Sequence, residues 1–509
     1  MIQNYGFSPE RLARRNHLID HGIDPYPSVA KRSHSIDQVL SGNSQQIMKE
    51  VDLVGRLFSI EKGPELKLIF EDASGRINAY IDSNTIANHQ FILDNIDKGD
   101  FIGVKGVLKQ NESNEPYIKL ISLTILTKAL KDLPDPIDWD QNKNAQRSQR
   151  YVDLAVRKKA QEIFRTRVQL IRNIRNFLEE QGMWEIETPI LRSWYDLVCF
   201  DQFSTKDVGG RPLYLRLCHE DQLKKLISGG FEKVFELGKS FRPDNVSWKH
   251  SPEFLQLETI QAYTDYQDMM KHAENLYSIV TKKTIGKTEI RGRRGDKINL
   301  LPPWKKITVR DAILEFAGID IYSASTPDIL RKEIEKLSET ATKSGSSSPY
   351  AMPPADSPSG TETFPPEPYC NWFWGLVEHC IGTFVEPNLI QPTILYDYPV
   401  DSNWLVKKKR ECPDYIERFE AYIDGIEIAN CYTLVNDPVD FIERLEDERS
   451  WYCAAFGRQN CPLDLSLIQA KAYGLPPMSE SSFGIDRWLM IICEQESIQD
   501  VIWIPYPHV

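Results

Sequence analysis

Between residues 51 and 128 apolar and polar positions alternate with period two in five runs, 51–60, 66–72, 75–82, 100–110 and 115–128. Turn residues separate the runs, so five strands are expected, enough to close a small Greek-key barrel. The period changes at 162–181, where Ile163, Val168, Ile171, Ile174 and Leu178 fall on one helical face. Gly182 ends that helix, and residues 184–189 read as a strand stopped by Pro189. Two more strands are expected, at 233–241 and 255–263. In the second, Leu255 and Leu257 alternate with Gln256 and Glu258. Residues 420–434 alternate again around Asp424-Gly425, a hairpin signal. Two short helices are expected within residues 8–45, broken by Pro25 and Pro27, and helices resume over 303–337.

These elements predict an α+β chain. Residues 1–48 form a helical opening, 49–134 a five-stranded barrel of the OB type, and 135–150 a polar linker. Residues 151–509 form an antiparallel-sheet domain flanked by helices, with an insertion around 305–370. Within that insertion, 338–368 is rich in Ser, Pro and Gly and is expected to be disordered.

Composition changes this picture little. With 61 basic and 73 acidic residues the net charge is -12, so a basic partner surface must be local. No 18-residue apolar run exists, and the richest stretch, 372–395, is broken by Glu378, His379 and Glu386, so no membrane is implied. The nine cysteines include no C-x-x-C and the first residues lack the apolar core of a signal peptide. Reduced thiols and a cytoplasmic protein are the expectation.

The polar loop between the strands at 233–241 and 255–263 concentrates candidate chemistry. Arg242 offers a planar fork suited to phosphate, Lys249 and His250 could reach further phosphates, and Phe254 offers a face for a flat base. Two P-loop fragments, Gly238-Lys239-Ser240 and Gly286-Lys287-Thr288, lack the first glycine of that motif and are rejected.

The series Arg242, Asp244, His250-Ser-Pro-Glu-Phe254, Glu258 resembles motif 2 of class II aminoacyl-tRNA synthetases, most closely lysyl-tRNA synthetases. The helix, glycine and strand from 162 to 189 resemble motif 1, and Phe483-Gly-Ile-Asp-Arg487 resembles motif 3. The resemblance covers nearly the whole chain. It implies a ligase that forms an aminoacyl adenylate from ATP and an amino acid, with magnesium, as a homodimer built on motif 1. Arg242 would grip the α-phosphate, with Asp244 near adenine and Phe254 stacked on it. Lys249 and His250 would approach the outer phosphates, and Arg487 the γ-phosphate. Arg242 and Arg487 are then the catalytic pair, because this chemistry needs positioning and charge neutralisation rather than a protein base. Glu420 and Glu427 match two magnesium carboxylates. Their odd spacing of seven would put them on opposite faces of a regular strand, so a hairpin is needed to join them.

For the amino acid, the resemblance implies Glu220 at the α-ammonium, Glu258 at the side-chain ammonium and Asn430 in the pocket. Around them the chain departs from the family. Leu434 replaces a second ammonium-facing glutamate, in Tyr432-Thr433-Leu434 where the family has Phe-Ser-Glu. Ile260 replaces a tyrosine, and Glu480-Ser481-Ser482 replaces Gly-Leu-Gly. Trp404 replaces a proline, and 193–199 replaces a glycine-rich loop. Clustered changes beside an intact ATP set predict a paralogue taking a non-standard amino acid, with a polar or cationic group placed differently from that of lysine. In the barrel, Ile60-Glu61 and Lys67 stand where the family's anticodon reader has an Arg pair and an aromatic. That counts against tRNA as acceptor. Two alternatives are carried: a conventional lysine–tRNA ligase, and a non-catalytic amino-acid-sensing paralogue. Intact Arg242, Arg487, Glu420 and Glu427 speak against the second.

Overall fold

The structure is a computed structural model that describes residues 6–41, 48–62, 65–194, 202–343, 372–456 and 464–506. It divides into two compact units, Met1–Lys143 and Asn144–Val509.

In the first unit β1 (Glu50–Glu61), β2 (Leu66–Glu71), β3 (Arg76–Ile81), β4 (Phe101–Gln110) and β5 (Pro116–Thr127) close a barrel in the order β1-β2-β3-β5-β4. Inward positions such as Leu53, Leu57, Leu68, Phe70, Ile77, Val104 and Ile118 form its core. Gly106, at a bulge, lies against Ile118 and the Lys119 backbone so closely that a Cβ would collide with both. The opening helices are Pro9–Asp20 and Ile36–Ser41, as the pattern predicts. A helix at Ser83–Asn95, between β3 and β4, was not expected.

The linker expected at 135–150 is instead helical, with helices Pro136–Asp140 and Lys143–Ser148 and a third beginning at Arg150. The reason is visible locally: Asp135 caps the first helix by accepting from the Ile137 N–H, and Pro136 suits the first turn.

The second unit is built on an eight-stranded sheet. Its strands are β6 (Trp184–Glu185), β10 (Lys233–Phe241), β11 (Glu253–Ala262), β14 (Lys305–Thr308), β15 (Thr393–Pro399), β16 (Tyr415–Ile423), β17 (Ile426–Thr433) and β18 (Met478–Gly484). The order is β14-β15-β16-β17-β18-β11-β10-β6, antiparallel except at β14–β15 and β10–β6. Small additions are β7 (Leu191–Arg192), β8 (Ser204–Lys206) and β9 (Pro212–Leu215) in one sheet, and the hairpin of β12 (Glu289–Arg291) with β13 (Lys297–Asn299).

Strand alternation sends successive residues to opposite sides of the large sheet. Phe235, Leu257, Phe419, Cys431 and Phe483 pack with helices Lys158–Glu180, Tyr266–Ile285 and Ile485–Ile492. Val234, Ile260, Tyr422 and Tyr432 belong to a second core with helices Glu220–Ser228, Val309–Ala317 and Phe373–Cys380. Both P-loop look-alikes fall outside any phosphate loop. Gly238-Lys239-Ser240 lies inside β10, and Gly286 caps the helix Tyr266–Ile285 at φ 77°.

Within the insertion, helix Pro327–Lys343 runs past residue 338, where disorder was expected to begin. Residues 344–371 lie outside the described residues, as do 195–201, which hold most of the altered loop after motif 1. Among the described residues no helix is long and apolar enough to cross a membrane.

Candidate functional site

The sheet face away from helix Tyr266–Ile285 presents side chains in rows across strands. One row is Glu420, Asn430, Ser482, Glu258 and Glu236; the next is Arg418, Tyr432, Glu480, Ile260 and Val234. Nine predicted residues line one cleft at the edge of this face: Arg242, Asp244, Lys249, His250, Phe254, Glu427, Asn430, Ser482 and Arg487.

β10 and β11 pair in continuous register from Lys233–Gln261 to Phe241–Glu253, and the loop between them carries the basic side chains. The Arg242 N–H donates to Pro252 O (2.9 Å), which pins the loop at its neck. The Arg242 guanidinium lies 5.4 Å from the centre of the Phe254 ring and has no carboxylate partner among the described residues. Asp244 is exposed. Lys249 Nζ pairs with Glu386 (3.1 Å). His250 Nδ1 contacts Ser247 Oγ (2.8 Å). Burial, with Arg487 and Lys249 beside it, pushes His250 down to about 4, so at neutral pH it is an uncharged hydrogen-bonding group.

Arg487, in the first turn after Gly484, donates from one nitrogen to Glu427 O (2.8 Å) and Glu427 Oε2 (3.1 Å), and from Nε to Lys249 O (3.3 Å). Burial works against ionisation of Glu427, but Arg487 and Lys249 outweigh it and hold the carboxyl below its usual range. Glu420 accepts from Arg418 (2.6 Å) and Tyr398 OH (2.7 Å), and also from Tyr422 OH. Burial raises Glu420, and the Glu427 charge adds to the effect.

The hairpin expected around Asp424-Gly425 is present, with φ 55° and 68° at the two turn residues. A bulge resolves the odd spacing. Ala421 pairs with Ala429 while Tyr422 pairs with Glu427, so β17 carries one extra residue. Glu427 therefore shares a face with Tyr422, and Tyr422 with Glu420. The donors are all oxygens, the set that suits magnesium. Among the described residues no three His, Cys, Asp or Glu side chains converge on a metal position, so phosphate oxygens would have to complete the shell.

The predicted amino-acid residues do not all reach the cleft. Glu220, Glu258 and Glu480 are buried beyond it. Lys224 Nζ sits among Glu220 (2.9 Å), Asp221 (3.3 Å) and Glu480 (3.3 Å). Tyr432 OH donates to Glu220 (2.5 Å) and lies 3.0 Å from Glu480 Oε1. Burial and the neighbouring Glu220 push Glu480 well above the carboxylate range. Glu220 stays below its usual value: burial opposes its charge, but Lys224, Glu480 and Tyr432 stabilise it. Glu220 thus keeps its charge and Glu480 is the harder of the two to ionise, with the Tyr432 hydroxyl facing both carboxyls. Glu258 accepts from the His219 N–H (2.8 Å), and burial plus Glu220 push it up to about 8. His219 Nδ1 is 3.9 Å from Glu258, but burial and Arg216 lower His219 to about 3, so this contact is not an ion pair. Ile260 and Leu434 pack into the apolar core on this side.

Lys224, Arg418 and Tyr432 were missed as site residues. Lys224 had a signal, since it stands four positions after Glu220 on a helix, where such a pair meets. Arg418 and Tyr432 had none beyond lying on the face of Glu420 and Glu480.

Residues 142–508 match the family of tRNA synthetases class II (D, K and N). A lysine–tRNA ligase of Roseiflexus castenholzii is 34% identical over 505 residues, spanning 98% of this chain and 97% of that protein. Lysine–tRNA ligase 2 of Methanosarcina mazei is 35% identical over 510 residues, spanning 98% and 94%. A lysine–tRNA ligase of Moorella thermoacetica is 33% identical over 498 residues, spanning 97% and 96%.

Proposed function

Because the chain belongs to the class II tRNA synthetases of the D, K and N group, and so is a ligase that forms an aminoacyl adenylate, we propose that it activates lysine and transfers it to tRNA. The observation that carries this reading is a basic, aromatic cleft beside a buried set of carboxylates on the same sheet face, where cleft residue Ser482 pairs with Glu258. The cleft suits a nucleotide triphosphate and the carboxylates suit a substrate bearing ammonium groups. The relatives, matched along nearly their full length, favour lysine and tRNA over the non-standard amino acid and non-tRNA acceptor expected from the pocket changes.

In this mechanism the lysine carboxylate attacks the α-phosphorus of ATP and pyrophosphate leaves. Arg242 neutralises the α-phosphate, where charge builds in the transition state. Phe254 stacks on adenine and Asp244 lies near it. Lys249, neutral His250 and Arg487 hold the outer phosphates. Glu420 and Glu427 would hold magnesium, which neutralises phosphate charge when bound. Glu220 takes the α-ammonium, with Glu258, Asn430 and Ser482 lining the path of the side chain. A homodimer through the motif 1 region is supported by exposed Val168, Trp184, Ile190 and Leu191 in that segment.

The test is lysine-dependent exchange between pyrophosphate and ATP across an amino-acid panel, followed by charging of lysine tRNA. Lysine is expected to be the best substrate. Exchange with a neutral amino acid but not with lysine would overturn the reading.

The barrel makes a separate expectation. Glu61 and Lys67 lie opposite each other on β1 and β2 and pair at 3.0 Å, where an anticodon base would need a ring and a cation. A stacking platform contributes about 1–3 kcal/mol per base. With none at this position, anticodon substitutions in lysine tRNA should change kcat/KM for charging by less than about fivefold. A larger loss would show that other barrel residues read the anticodon.

A further inference from the structure

Glu480 is 1% exposed, yet its Oε2 has no hydrogen-bond partner among the described residues, and Lys224 Nζ approaches it to 3.3 Å. Three carboxylates, from Glu220, Asp221 and Glu480, share that ammonium, and Glu258 lies close enough to feel the charge of Glu220. A buried carboxyl oxygen left short of a partner is costly, and a substrate ammonium would supply both the missing donor and the charge that lets Glu480 ionise.

Placement says where that ammonium would come from. Gly484 and Ser482 line the nucleotide cleft, and Glu480 follows two residues farther along the same face of β18. Two residues of strand advance roughly 7 Å. A substrate whose carboxylate faces the cleft would thus extend its side chain past Ser482 and Glu258 toward Glu480.

The neighbours of Glu480 fit it. Tyr432 and Ile260 are its direct partners on the two flanking strands. The Tyr432 hydroxyl fixes one carboxyl oxygen, and aliphatic Ile260 offers no competing polar group on the other side. Leu434 is turned into an apolar cluster with Val406, Leu475 and Met478, where it meets no charge.

We infer that Glu480, oriented by Tyr432, recognises the side-chain ammonium of a diamino-acid substrate, and that position 434 has no part in reading charge. This rests on the lysine reading above and names the residue that makes it work in this chain.

The experiment is pyrophosphate exchange by the full-length protein carrying Glu480→Gln, with lysine and with norleucine, its uncharged analogue. KM for lysine should rise roughly 10- to 100-fold, the range for a lost charge-assisted hydrogen bond. KM for ATP should stay as in the wild type, which also reports an intact fold, and the preference for lysine over norleucine should shrink. Tyr432→Phe keeps the ring and removes only the hydroxyl; it should raise KM for lysine by a smaller factor in the same direction. If wild-type protein exchanges with lysine and Glu480→Gln leaves its KM unchanged, this inference fails alone. If wild-type protein exchanges only with neutral amino acids, the lysine reading and this inference fall together.

Discussion

Arg242→Ala should abolish adenylate formation while the protein still folds. Removing one preorganised donor from developing charge typically costs about 100- to 1,000-fold in rate. The structure gives two reasons to expect an effect on chemistry rather than stability. The guanidinium has no carboxylate partner that the substitution would strand, and it rests against Phe254 in an open cleft. The loop is held instead by a backbone bond from the Arg242 N–H to Pro252, which alanine keeps. Lysine-dependent pyrophosphate exchange and thermal melting, measured on the same preparation, separate the two. Lys249→Ala is the useful comparison, because Lys249 is already paired with Glu386 and its loss frees a carboxylate beside the cleft. Exchange near the wild-type rate in Arg242→Ala would remove Arg242 from the nucleotide site.

The parts of this protein that were legible in its sequence are those where local pattern and tertiary environment agree. The barrel strands alternate because one face of each is buried, and that alternation survives in the composition of every run. The pair of strands around the basic loop was visible for the same reason. What escaped was set by contacts between distant segments. The bulge that brings Glu427 onto the face of Glu420 leaves no mark in the alternation, because both Ala421 and Tyr422 are buried. The buried carboxylate group joins residues from a helix and three strands, and no spacing rule connects Glu220 to Tyr432 or Glu480. The helix at Pro136–Asp140 does leave a local signal, Asp135 as cap before Pro136, but in a run this polar the signal is faint. Leu434 reads in the sequence as a lost charge; in the structure it packs among apolar side chains, while Glu480 pairs across the strands with Tyr432, two residues before that leucine.

Glu420→Gln together with Glu427→Gln should raise the magnesium concentration needed for half-maximal exchange. The two carboxylates share one face of the hairpin, and the Glu427 charge raises the cost of ionising Glu420, as expected for a pair that awaits a cation. They are not equivalent. Glu427 is held in the charged form by Arg487, whereas Glu420 is enclosed by Arg418 and two tyrosine hydroxyls. Glu427→Gln alone therefore also loosens Arg487 and should weaken ATP binding at saturating magnesium. Glu420→Gln alone leaves the buried Arg418 guanidinium without its counter-charge; losing one partner of a buried pair costs about 3–5 kcal/mol. A lowered melting temperature for that single variant is the expected signature, and glutamine's carbonyl keeps part of the hydrogen bonding. In the double variant the magnesium midpoint should shift by at least about tenfold, the lower end of what even outer partners of a metal contribute. The titration is run at saturating ATP and lysine, so that the midpoint follows the metal. An unchanged midpoint, with reduced stability as the only effect, would make this hairpin a structural support for Arg418 and Arg487 rather than a magnesium site.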